Sequence, residues 1–326
     1  MNRLQRLCTV LAASLLLSAC GEASTGSAKP DGAAPATIHI AETAGLPAAF
    51  LQYGVEHGLF KNEGLDLVVD SSAGGAAALP GVVGGSTQLA GSNVFTDLLA
   101  KAKGLPVQIV ASNTFSTDTP TSDYSAVLVA KDSAITDAKE LAGKTIAVNT
   151  LGNVGEVTIK TALEQKGVDI SGIKFLELGF PDMIPALEAG RVDAVWTIEP
   201  FVTRGIDNGS RPVLWPFVES RPNLMVGSVV ASESYIKENP EIIAAFQRGL
   251  TATMDFVNKD TDSFRASLPK LANMSEAAAK QIVLPVYKTS TAADLESMEF
   301  VVKQMEKYGV LSTKVDVSTL LLDGIH

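Results

Sequence analysis

The chain has 326 residues, of which 46% are hydrophobic and 19% are charged, a composition typical of a globular protein large enough for two domains. Its formal net charge of −10 argues against binding to nucleic acid or to an anionic membrane surface, because both attract basic proteins. The two cysteines, Cys8 and Cys20, both precede the predicted folded part, which excludes a disulfide framework and a zinc-ribbon site.

The N-terminal residues have the pattern of an export signal. Arg3 and Arg6 are followed by the apolar stretch 7–17, which has the length of a signal peptide and is too short to span a membrane. The small residues before Cys20 resemble a bacterial lipobox, and this resemblance implies cleavage before Cys20 and lipid attached to it. An ordinary signal peptide that contains a cysteine is the alternative, and we interpret residues 1–19 as a lipoprotein signal peptide.

A polar, small-residue segment follows the cysteine. Residues 20–37 consist largely of Ala, Gly, Ser, Thr and Pro and contain almost nothing to bury. This composition predicts a flexible tether. Together, the lipid and the tether predict a working part outside the cytoplasmic membrane of a bacterium, anchored to that membrane through Cys20.

From Ile38 onward, short apolar runs alternate with helical segments. The stretches TIHIAE, LDLVV, TQLAGS and VQIVAS predict four strands. The stretches LPAAFLQYGVEHGLF, AAALPGVVGG and VFTDLLAKAKG predict the helices between them, with Pro47 in the first turn of the first helix and Gly58 at its end. This alternation predicts an α/β fold with a mostly parallel sheet, whose ligands bind beyond the C-terminal ends of the strands.

A second alternating set begins near Ser125. AVLVAKD, KTIAVN, IKFLEL, VDAVWTI and RPVLWPF predict strands, and DAKELAG, GEVTIKTALEQKG and PDMIPALEAG predict helices. NLMVGSVVASESYI resembles DYSAVLVAKDSAI in pattern, and we interpret the two as a pair of crossover strands that join two lobes. From Pro240 the chain, including EAAAKQIVLPVY, is predicted to be nearly all helix and to pack back on the first lobe.

Four stretches carry a family resemblance: HGLFKNEGLDLVV, ALPGVVGGSTQLAGSN, SAITDAKELAGKTIAVNTLGN and ALEAGRVDAVWTIEPF. They resemble, in the same order, the motifs of the solute-binding proteins of ABC transporters that bind nitrate, taurine, aliphatic sulfonates or the thiamine pyrimidine precursor. Gln88 departs from that pattern, because an acidic residue is usual at its position. The motifs themselves are mainly structural, so they indicate the fold more directly than the ligand.

The resemblance implies a two-lobed periplasmic-binding-protein type II fold with two crossover strands and a helical C-terminal segment. It implies lobe 1 at residues 38–124 plus 227–326 and lobe 2 at residues 125–226, with a cleft that closes on the ligand by a hinge motion. The function that it implies is a monomeric solute-binding component of a bacterial ABC importer, which delivers a small organic solute to a permease and its ATPase. A surface receptor that reports to a sensor is the alternative.

The loops after the predicted strands supply the residues expected at the cleft. Small residues there let backbone N–H groups approach a ligand, and SSAGGAA and NTLGNVGE each lead into a helix N-terminus, which suits an anionic group. For Ser92, Asn93 and Asn153, a helix N-cap is the alternative role. The predicted ligand-binding residues are Thr43, Gly45, Leu46, Gly75, Ser92, Asn93, Asn113, Gly152, Asn153, Val154, Trp196 and Glu199.

Two of these residues bear on the chemistry of the solute. Trp196 is expected either to stack on an aromatic ligand or to pack in the core. Glu199 favours a ligand with N–H or O–H donors if it faces the cleft, and only opens the following helix if it faces solvent. A carboxylated or sulfonated compound, with or without an aromatic ring, is the first hypothesis. A pyrimidine-like nitrogen heterocycle is the second, because the cleft loops contain no Arg or Lys.

An enzymatic role is the least supported alternative. A fungal thiamine-pyrimidine synthase shares the fold implied by the resemblance and uses a histidine, a lysine and a cysteine-rich iron motif. Here His57 sits just before a predicted helix-ending glycine, and no cysteine follows Cys20. The three histidines are scattered, and no P-loop or dinucleotide fingerprint occurs. We therefore expect no catalysis, no cofactor and no metal.

Overall fold

The computed structural model describes residues 34–289 and 292–322. The predicted signal peptide, Cys20 and most of the predicted tether lie outside the described residues. The first strand begins at Ala36, one residue before the predicted end of the tether, because its backbone pairs with the strand that starts at Leu65. Within the described part of the chain, no helix is both long enough and apolar enough to cross a membrane.

The described residues form two sheets and the helices that cover them. The strands are β1 (Ala36–Thr43), β2 (Leu65–Ser72), β3 (Leu89–Asn93), β4 (Val107–Phe115), β5 (Ser125–Val129), β6 (Thr145–Val148), β7 (Lys174–Glu177), β8 (Ala194–Ile198), β9 (Arg211–Leu214), β10 (Met225–Ser232) and β11 (Val286–Tyr287). The α-helices are α1 (Leu46–Glu56), α2 (Gly75–Gly84), α3 (Val94–Ala102), α4 (Val154–Gln165), α5 (Phe180–Glu188), α6 (Phe201–Asp207), α7 (Pro216–Ser220), α8 (Glu233–Glu238), α9 (Pro240–Lys259), α10 (Thr261–Leu271), α11 (Glu276–Gln281) and α12 (Ala292–Lys307).

The first sheet has six strands in the order β11-β4-β10-β3-β1-β2. Strand β1 lies parallel to β2 and β3, whereas β10 runs antiparallel to β3 and β4. The second sheet has five strands in the order β7-β6-β8-β5-β9, with β6 parallel to β7 and β8. We call the layers around the first sheet lobe 1 and those around the second sheet lobe 2.

The chain crosses between the lobes twice, after β4 and before β10. Strands β5 and β10, the predicted crossover strands, are the first strands after these crossings, and each pairs within its own sheet. Buried Asp123 in the first crossing ties that crossing to lobe 2, because its carboxylate accepts hydrogen bonds from the amides of Tyr124 (2.8 Å) and of Val218 on α7 (2.9 Å). The Ser116 hydroxyl adds a second link by accepting a bond from the Leu224 amide at 2.8 Å. We propose that the hinge between the lobes lies in these crossings.

The C-terminal part contains less helix than the sequence predicted. EAAAKQIVLPVY was expected to be helical, but α11 ends at Gln281, and Val286–Tyr287 instead pairs with the end of β4. Pro285 is the physical reason, because a proline disfavours helical backbone in the residue before it and supplies no N–H. The segment therefore adds a short edge strand to lobe 1 and brings Tyr287 to the end of β4.

The C-terminal helices contact both lobes. Helix α9 packs on lobe 1, where the Gln247 side chain donates to the Val110 carbonyl at 2.7 Å. Helix α12 also contacts lobe 1 through the Ser297 hydroxyl, which accepts the Met225 amide at 2.9 Å. Just beyond α12, the Tyr308 hydroxyl donates to Glu164 on α4 of lobe 2 at 2.8 Å. The terminal helices thus span the two lobes rather than covering lobe 1 alone.

Candidate functional site

A cavity lies between the two lobes, at the C-terminal ends of strands from both sheets. Its wall includes the ends of β1, β3 and β4 from lobe 1 and of β6 and β8 from lobe 2. The empty space amounts to about 730 Å³, a figure that includes the open mouth. This position agrees with the general rule that ligands of open α/β sheets bind beyond the carboxyl ends of the strands.

The structure brings most of the predicted ligand-binding residues to this wall. The ones that line it are Thr43, Leu46, Gly75, Ser92, Asn93, Asn113, Val154, Trp196 and Glu199. Gly45, Gly152 and Asn153 are not on the wall. Contact of any of these residues with a solute stays a prediction.

The three residues off the wall have structural roles beside it. Gly45 has a φ of 105°, and a Cβ there would lie 2.8 Å from Pro200 Cδ of the other lobe. The Gly152 amide donates to Glu156 at 2.8 Å in the first turn of α4. Asn153 caps α4, since its side-chain oxygen accepts the Val154 amide at 2.7 Å. The cap interpretation therefore holds for Asn153, and Gly45 lets the lobes approach closely.

Asn153 also forms a direct bond between the lobes. Its Nδ2 donates to the Thr96 hydroxyl, on α3 of lobe 1, at 3.0 Å, and both side chains are buried. The N-cap of α3 is Asn93, whose side-chain oxygen accepts the Thr96 amide at 3.0 Å. The first turns of α3 and α4 therefore meet at the cleft and are joined by the Thr96–Asn153 pair.

We expect Thr96→Val to weaken ligand binding by about 2- to 10-fold, because the closed arrangement loses one buried hydrogen bond of roughly 0.5–1.5 kcal/mol. The near-isosteric valine leaves the cap of Asn153 on α4 in place. Isothermal titration should show the loss, and small-angle scattering of the unliganded variant should show a larger radius of gyration. Thr158→Val, at a buried threonine within α4 whose hydroxyl donates to carbonyls of its own helix, is the control. An unchanged affinity for Thr96→Val would contradict a role for this bond in closure.

The cavity wall gathers buried polar atoms that lack a protein partner. Of the six such side-chain atoms in the described part of the chain, five belong to residues that line the cavity. They are Glu42 Oε2, Asn113 Oδ1, Asn149 Oδ1, the Tyr124 hydroxyl and the Tyr287 hydroxyl. Buried polar groups in proteins are nearly always hydrogen-bonded, so this concentration indicates a place where a ligand supplies the missing partners.

Glu42 is one of two buried acidic groups on the wall, the other being Glu199. It is the penultimate residue of β1, is 3% exposed, and its Oε1 accepts the Thr43 amide at 2.6 Å. Burial raises the pKa of Glu42 from 4.5 to about 7, and the hydrogen bonds from Thr43 oppose that rise. The group therefore titrates near neutral pH with one oxygen still unpaired.

Aromatic side chains cover the part of the wall that belongs to lobe 2. Trp196 is 1% exposed, its Nε1 donates to the Ser125 hydroxyl at 2.8 Å, and its ring packs between Phe180 and Phe217, with centroids 5.7 Å and 5.9 Å away. A Cβ on Gly155 would lie 2.5 Å from the indole, so α4 fixes the ring. Trp196 is thus both a core residue and an aromatic surface of the cavity.

Glu199 lies at the cleft but has its oxygens occupied. Its carboxylate accepts the Thr203 amide at 3.0 Å and the Thr203 hydroxyl at 2.8 Å, and it also accepts the Val283 amide of the segment after α11 at 3.3 Å. Burial raises the pKa of Glu199 to about 7, and these bonds oppose that rise. Neither expected role describes it alone, because Glu199 opens α6 and also ties lobe 2 to the C-terminal segment.

No Lys, Arg or His side chain belongs to the described residues on the cavity wall. Ser92, which could have donated to an anion, instead donates to Asp97 at 2.5 Å. A sulfonate or carboxylate would therefore meet no balancing charge there and would lie in the same cavity as Glu42. The electrostatics of the site favour a solute that brings N–H donors.

Free energy of unfolding is expected to fall as pH rises from about 5 to 8. Burial raises the pKa of Glu42, Asp97, Asp123 and Glu199 to about 7, so the folded state binds more protons than the unfolded state between the unfolded and folded pKa values. This stabilisation is fully present at pH values below the pKa of the unfolded state and is lost as the pH rises through the pKa of the folded state. Denaturant unfolding at pH 5.5, 7 and 8.5 measures this decrease in the free energy of unfolding. Glu42→Gln should make the total decrease smaller by up to ~3 kcal/mol. A variant as pH-sensitive as the wild type would contradict this assignment.

Sequence reasoning predicted Asn113 but missed Glu42 and Tyr287, which also contribute unpartnered polar atoms to the cavity. Glu42 directly precedes the predicted Thr43, and a carboxylate at the end of a predicted strand was a signal that could have found it. Tyr287 gave no such signal, because its segment was predicted to be helical. The aromatic residues Tyr124, Phe180 and Phe217 reach the wall from separate segments of lobe 2 and from the crossing before β5. Asn149, by contrast, is the first residue of NTLGNVGE, a loop that was expected at the cleft.

Comparison with known proteins places this fold among binding proteins. A family profile described as NMT1/THI5 like matches residues 48–263. The formylaminopyrimidine-binding protein of Halalkalibacterium halodurans is 25% identical over 260 residues, covering 77% of this chain and 73% of the relative.

Solved structures with the same fold include bacterial sulfonate-binding proteins. The alkanesulfonate-binding protein of Xanthomonas axonopodis pv. citri, bound to MOPS, superposes with a TM-score of 0.77 at 18% identity, covering 89% of this chain and 99% of that one. The periplasmic aliphatic sulphonate binding protein of Escherichia coli gives 0.72 at 16% identity, with coverage of 89% and 99%. The predicted periplasmic-binding-protein type II fold is confirmed.

Proposed function

The chain belongs to the NMT1/THI5-like family, and from that premise we propose that it is the solute-binding component of a bacterial ABC importer. It captures a small organic solute in the cavity between its lobes and delivers it to a permease and its ATPase. It is a binding protein rather than an enzyme, in keeping with the relatives described above.

We further propose that the protein works outside the cytoplasmic membrane as a lipid-anchored monomer. The support is the lipobox-like sequence before Cys20, which lies outside the described residues. Mass spectrometry of the membrane-extracted protein tests this proposal. A diacylated Cys20 at the N-terminus is expected, and an unmodified N-terminal cysteine would contradict the anchor.

The cargo that the cavity supports best is an aromatic nitrogen heterocycle carrying amino groups, such as an aminopyrimidine. The observation that carries this proposal is the set of five unpartnered polar atoms on a wall without a described cation. Two of the five are amide oxygens and a third belongs to Glu42, which accepts hydrogen bonds when it is ionised, so the ligand must supply donors. The aromatic side chains of lobe 2 suit a flat ring.

The relatives offer both chemical alternatives. The formylaminopyrimidine-binding protein is named for a heterocycle with N–H groups, and the two superposed structures are named for sulfonates. We place the pyrimidine ahead of the sulfonate, which reverses the order favoured by the sequence. The reason is electrostatic, because a sulfonate next to Glu42 would meet a buried carboxylate instead of a cation.

A thermal-shift screen followed by titration calorimetry tests this function on the full chain without its signal peptide. The ligands are N-formylaminopyrimidine, 4-aminopyrimidine, MOPS, ethanesulfonate and benzoate. We expect the pyrimidines to raise the melting midpoint, corresponding to about 2.7 kcal/mol at one hundred times the dissociation constant. Asn113→Ala and Asn149→Ala should each reduce that shift, whereas Asn208→Ala, on the surface after α6, should leave it unchanged. A shift with sulfonates alone would contradict the proposed cargo.

A further inference from the structure

We propose that Glu42 selects the solute, with Oε2 accepting an N–H bond from an amino group on a planar heterocycle and discriminating against the matching oxo compound. This inference rests on the proposed function, since it assigns the cargo's chemistry to one side chain of the same cavity. Glu42 was not among the residues predicted from the sequence.

The two oxygens of Glu42 are not equivalent. Oε1 is held by the Thr43 amide at 2.6 Å, which fixes the plane of the carboxylate beside the end of β1. Oε2 is buried and has no partner among the described residues, although Glu42 is only 3% exposed. A buried carboxylate oxygen that has lost its hydrogen bonds to water and has no other partner is strongly unfavourable. An N–H donor on the ligand would replace those bonds and recover much of the lost free energy.

The neighbouring strand is shaped around this carboxylate. A Cβ on Gly91 of β3 would lie 2.0 Å from Glu42 Oε2, 2.1 Å from Cδ and 2.2 Å from Oε1. Gly91 pairs with Val229 in an ordinary antiparallel ladder and has no positive φ, so its backbone does not require glycine. The carboxylate of Glu42 occupies the space that a side chain at position 91 would fill, so the sheet can hold Glu42 in this position only with glycine at position 91.

A second glycine makes room for another hydrogen-bond acceptor that has no partner. A Cβ on Gly227 of β10 would lie 2.3 Å from Asn113 Oδ1, which is itself buried without a partner. Lobe 1 therefore presents two hydrogen-bond acceptors, from Glu42 and Asn113, into one cavity. Two acceptors require two donors, and the two N–H bonds of one amino group supply them, whereas an oxo group in the same position supplies none.

No basic side chain among the described residues shifts the pKa of Glu42 itself. Tyr287 is the titratable group that faces Glu42 from β11. Burial, followed by the proximity of Glu42, raises the pKa of its hydroxyl, and the charge of Arg265 opposes that rise. Its ring is stacked on Phe50 with centroids 4.3 Å apart, which fixes the hydroxyl beside the carboxylate. Burial alone keeps the pKa of Glu42 near 7, with no basic side chain acting on it. The favourable partner for the ionised carboxylate must come with the solute.

Titration calorimetry with 4-aminopyrimidine and 4-pyrimidinone, at pH 6 and pH 8, tests the proposal. Wild type should bind the amino compound more tightly, and its preference should increase at pH 8, where Glu42 is ionised. In Glu42→Gln, affinity for 4-aminopyrimidine should fall about 10- to 100-fold and lose its pH dependence, while 4-pyrimidinone should bind as well or better, because the amide can donate. Glu233→Gln, an equal charge change at the surface beside Lys101, should match wild type.

The outcomes separate the two proposals. If wild type binds 4-aminopyrimidine and Glu42→Gln keeps the same amino-to-oxo ratio and pH profile, the inference about Glu42 is overturned and the proposed function stands. If wild type binds only sulfonates, the inference about Glu42 and the proposed cargo are both overturned, and the solute-binding role stands. Should Glu42→Gln fail to fold, Glu42→Asp provides the second variant. Aspartate keeps the charge, but its shorter side chain places the carboxylate oxygen farther from the solute. Retention of full affinity by Glu42→Asp would also overturn the inference.

Discussion

Replacing Gly91 with alanine should abolish solute binding, with a loss of at least ~100-fold in affinity, while the protein still folds with a stability reduced by about 1–3 kcal/mol. The new methyl group would fall 2.0–2.2 Å from three carboxyl atoms of Glu42. Since the strand is paired on both sides, the side chain of Glu42 must give way rather than the backbone. The carboxylate then moves into the cavity where the solute would bind.

The control for Gly91→Ala is Gly84→Ala. Gly84 ends α2, has no positive φ, and a Cβ there would meet nothing within 4 Å. We expect it to leave affinity unchanged and to stabilise the protein slightly, because alanine loses less conformational entropy than glycine on folding. Denaturant unfolding and titration calorimetry supply the two readouts.

A double variant separates the clash from the loss of the acceptor. Glu42→Ala in the Gly91→Ala background removes the clash, so stability should recover toward wild type. Affinity should remain low, because the acceptor has gone. If Gly91→Ala bound the solute as well as wild type, the packing that we describe for the Glu42 carboxylate against Gly91 would be wrong.

Trp196→Ala should lower the free energy of unfolding by about 3–5 kcal/mol and weaken solute binding as well. Trp196 is among the largest fully buried side chains and packs between Phe180 and Phe217 under the cavity wall. Its removal leaves a large void and leaves the Ser125 hydroxyl without the indole N–H. Trp196→Phe keeps part of the ring surface and should lose about half as much stability.

The second tryptophan provides a matched control. Trp215, the residue before α7, is only partly buried, so Trp215→Ala should reduce stability by about 1–2 kcal/mol and leave affinity unchanged. Because these are the only two tryptophans in the chain, each variant also assigns the fluorescence change on ligand addition to one residue. A ligand-dependent signal that survives Trp196→Ala but not Trp215→Ala would contradict the placement of the site.

Local sequence patterns predicted the elements around the site well. The helix after β1 begins with Pro47 in its first turn and ends just before Gly58, which has a φ of 71°. Asn93 and Asn153 cap α3 and α4 as their alternative interpretation foresaw. These features depend on residues within one turn of each other, and such interactions can be inferred from the order of the residues alone.

The polar chemistry of the cavity was not accessible in the same way. The sequence favoured an anionic solute because two glycine-containing loops lead into helices, whereas the wall contains an unpaired carboxylate and two unpaired amide oxygens. Glu199 was read as a residue facing either the ligand or solvent, and its oxygens are instead bound by Thr203 and Val283. Which atoms remain unpaired depends on every neighbour, including distant ones.

Hydrophobic periodicity, caps and turn residues act over short distances, so the sequence by itself determined most of the strands and helices and the loops that border the cleft. The family resemblance of its motifs implied the type II binding-protein fold. Only the tertiary structure decided that Glu42 on β1, Gly91 on β3 and Tyr287 on β11 meet at one point. The physical reason is that strand pairing and burial join segments far apart in the chain. They remove water from Glu42 and leave one of its oxygens unpaired inside the cavity.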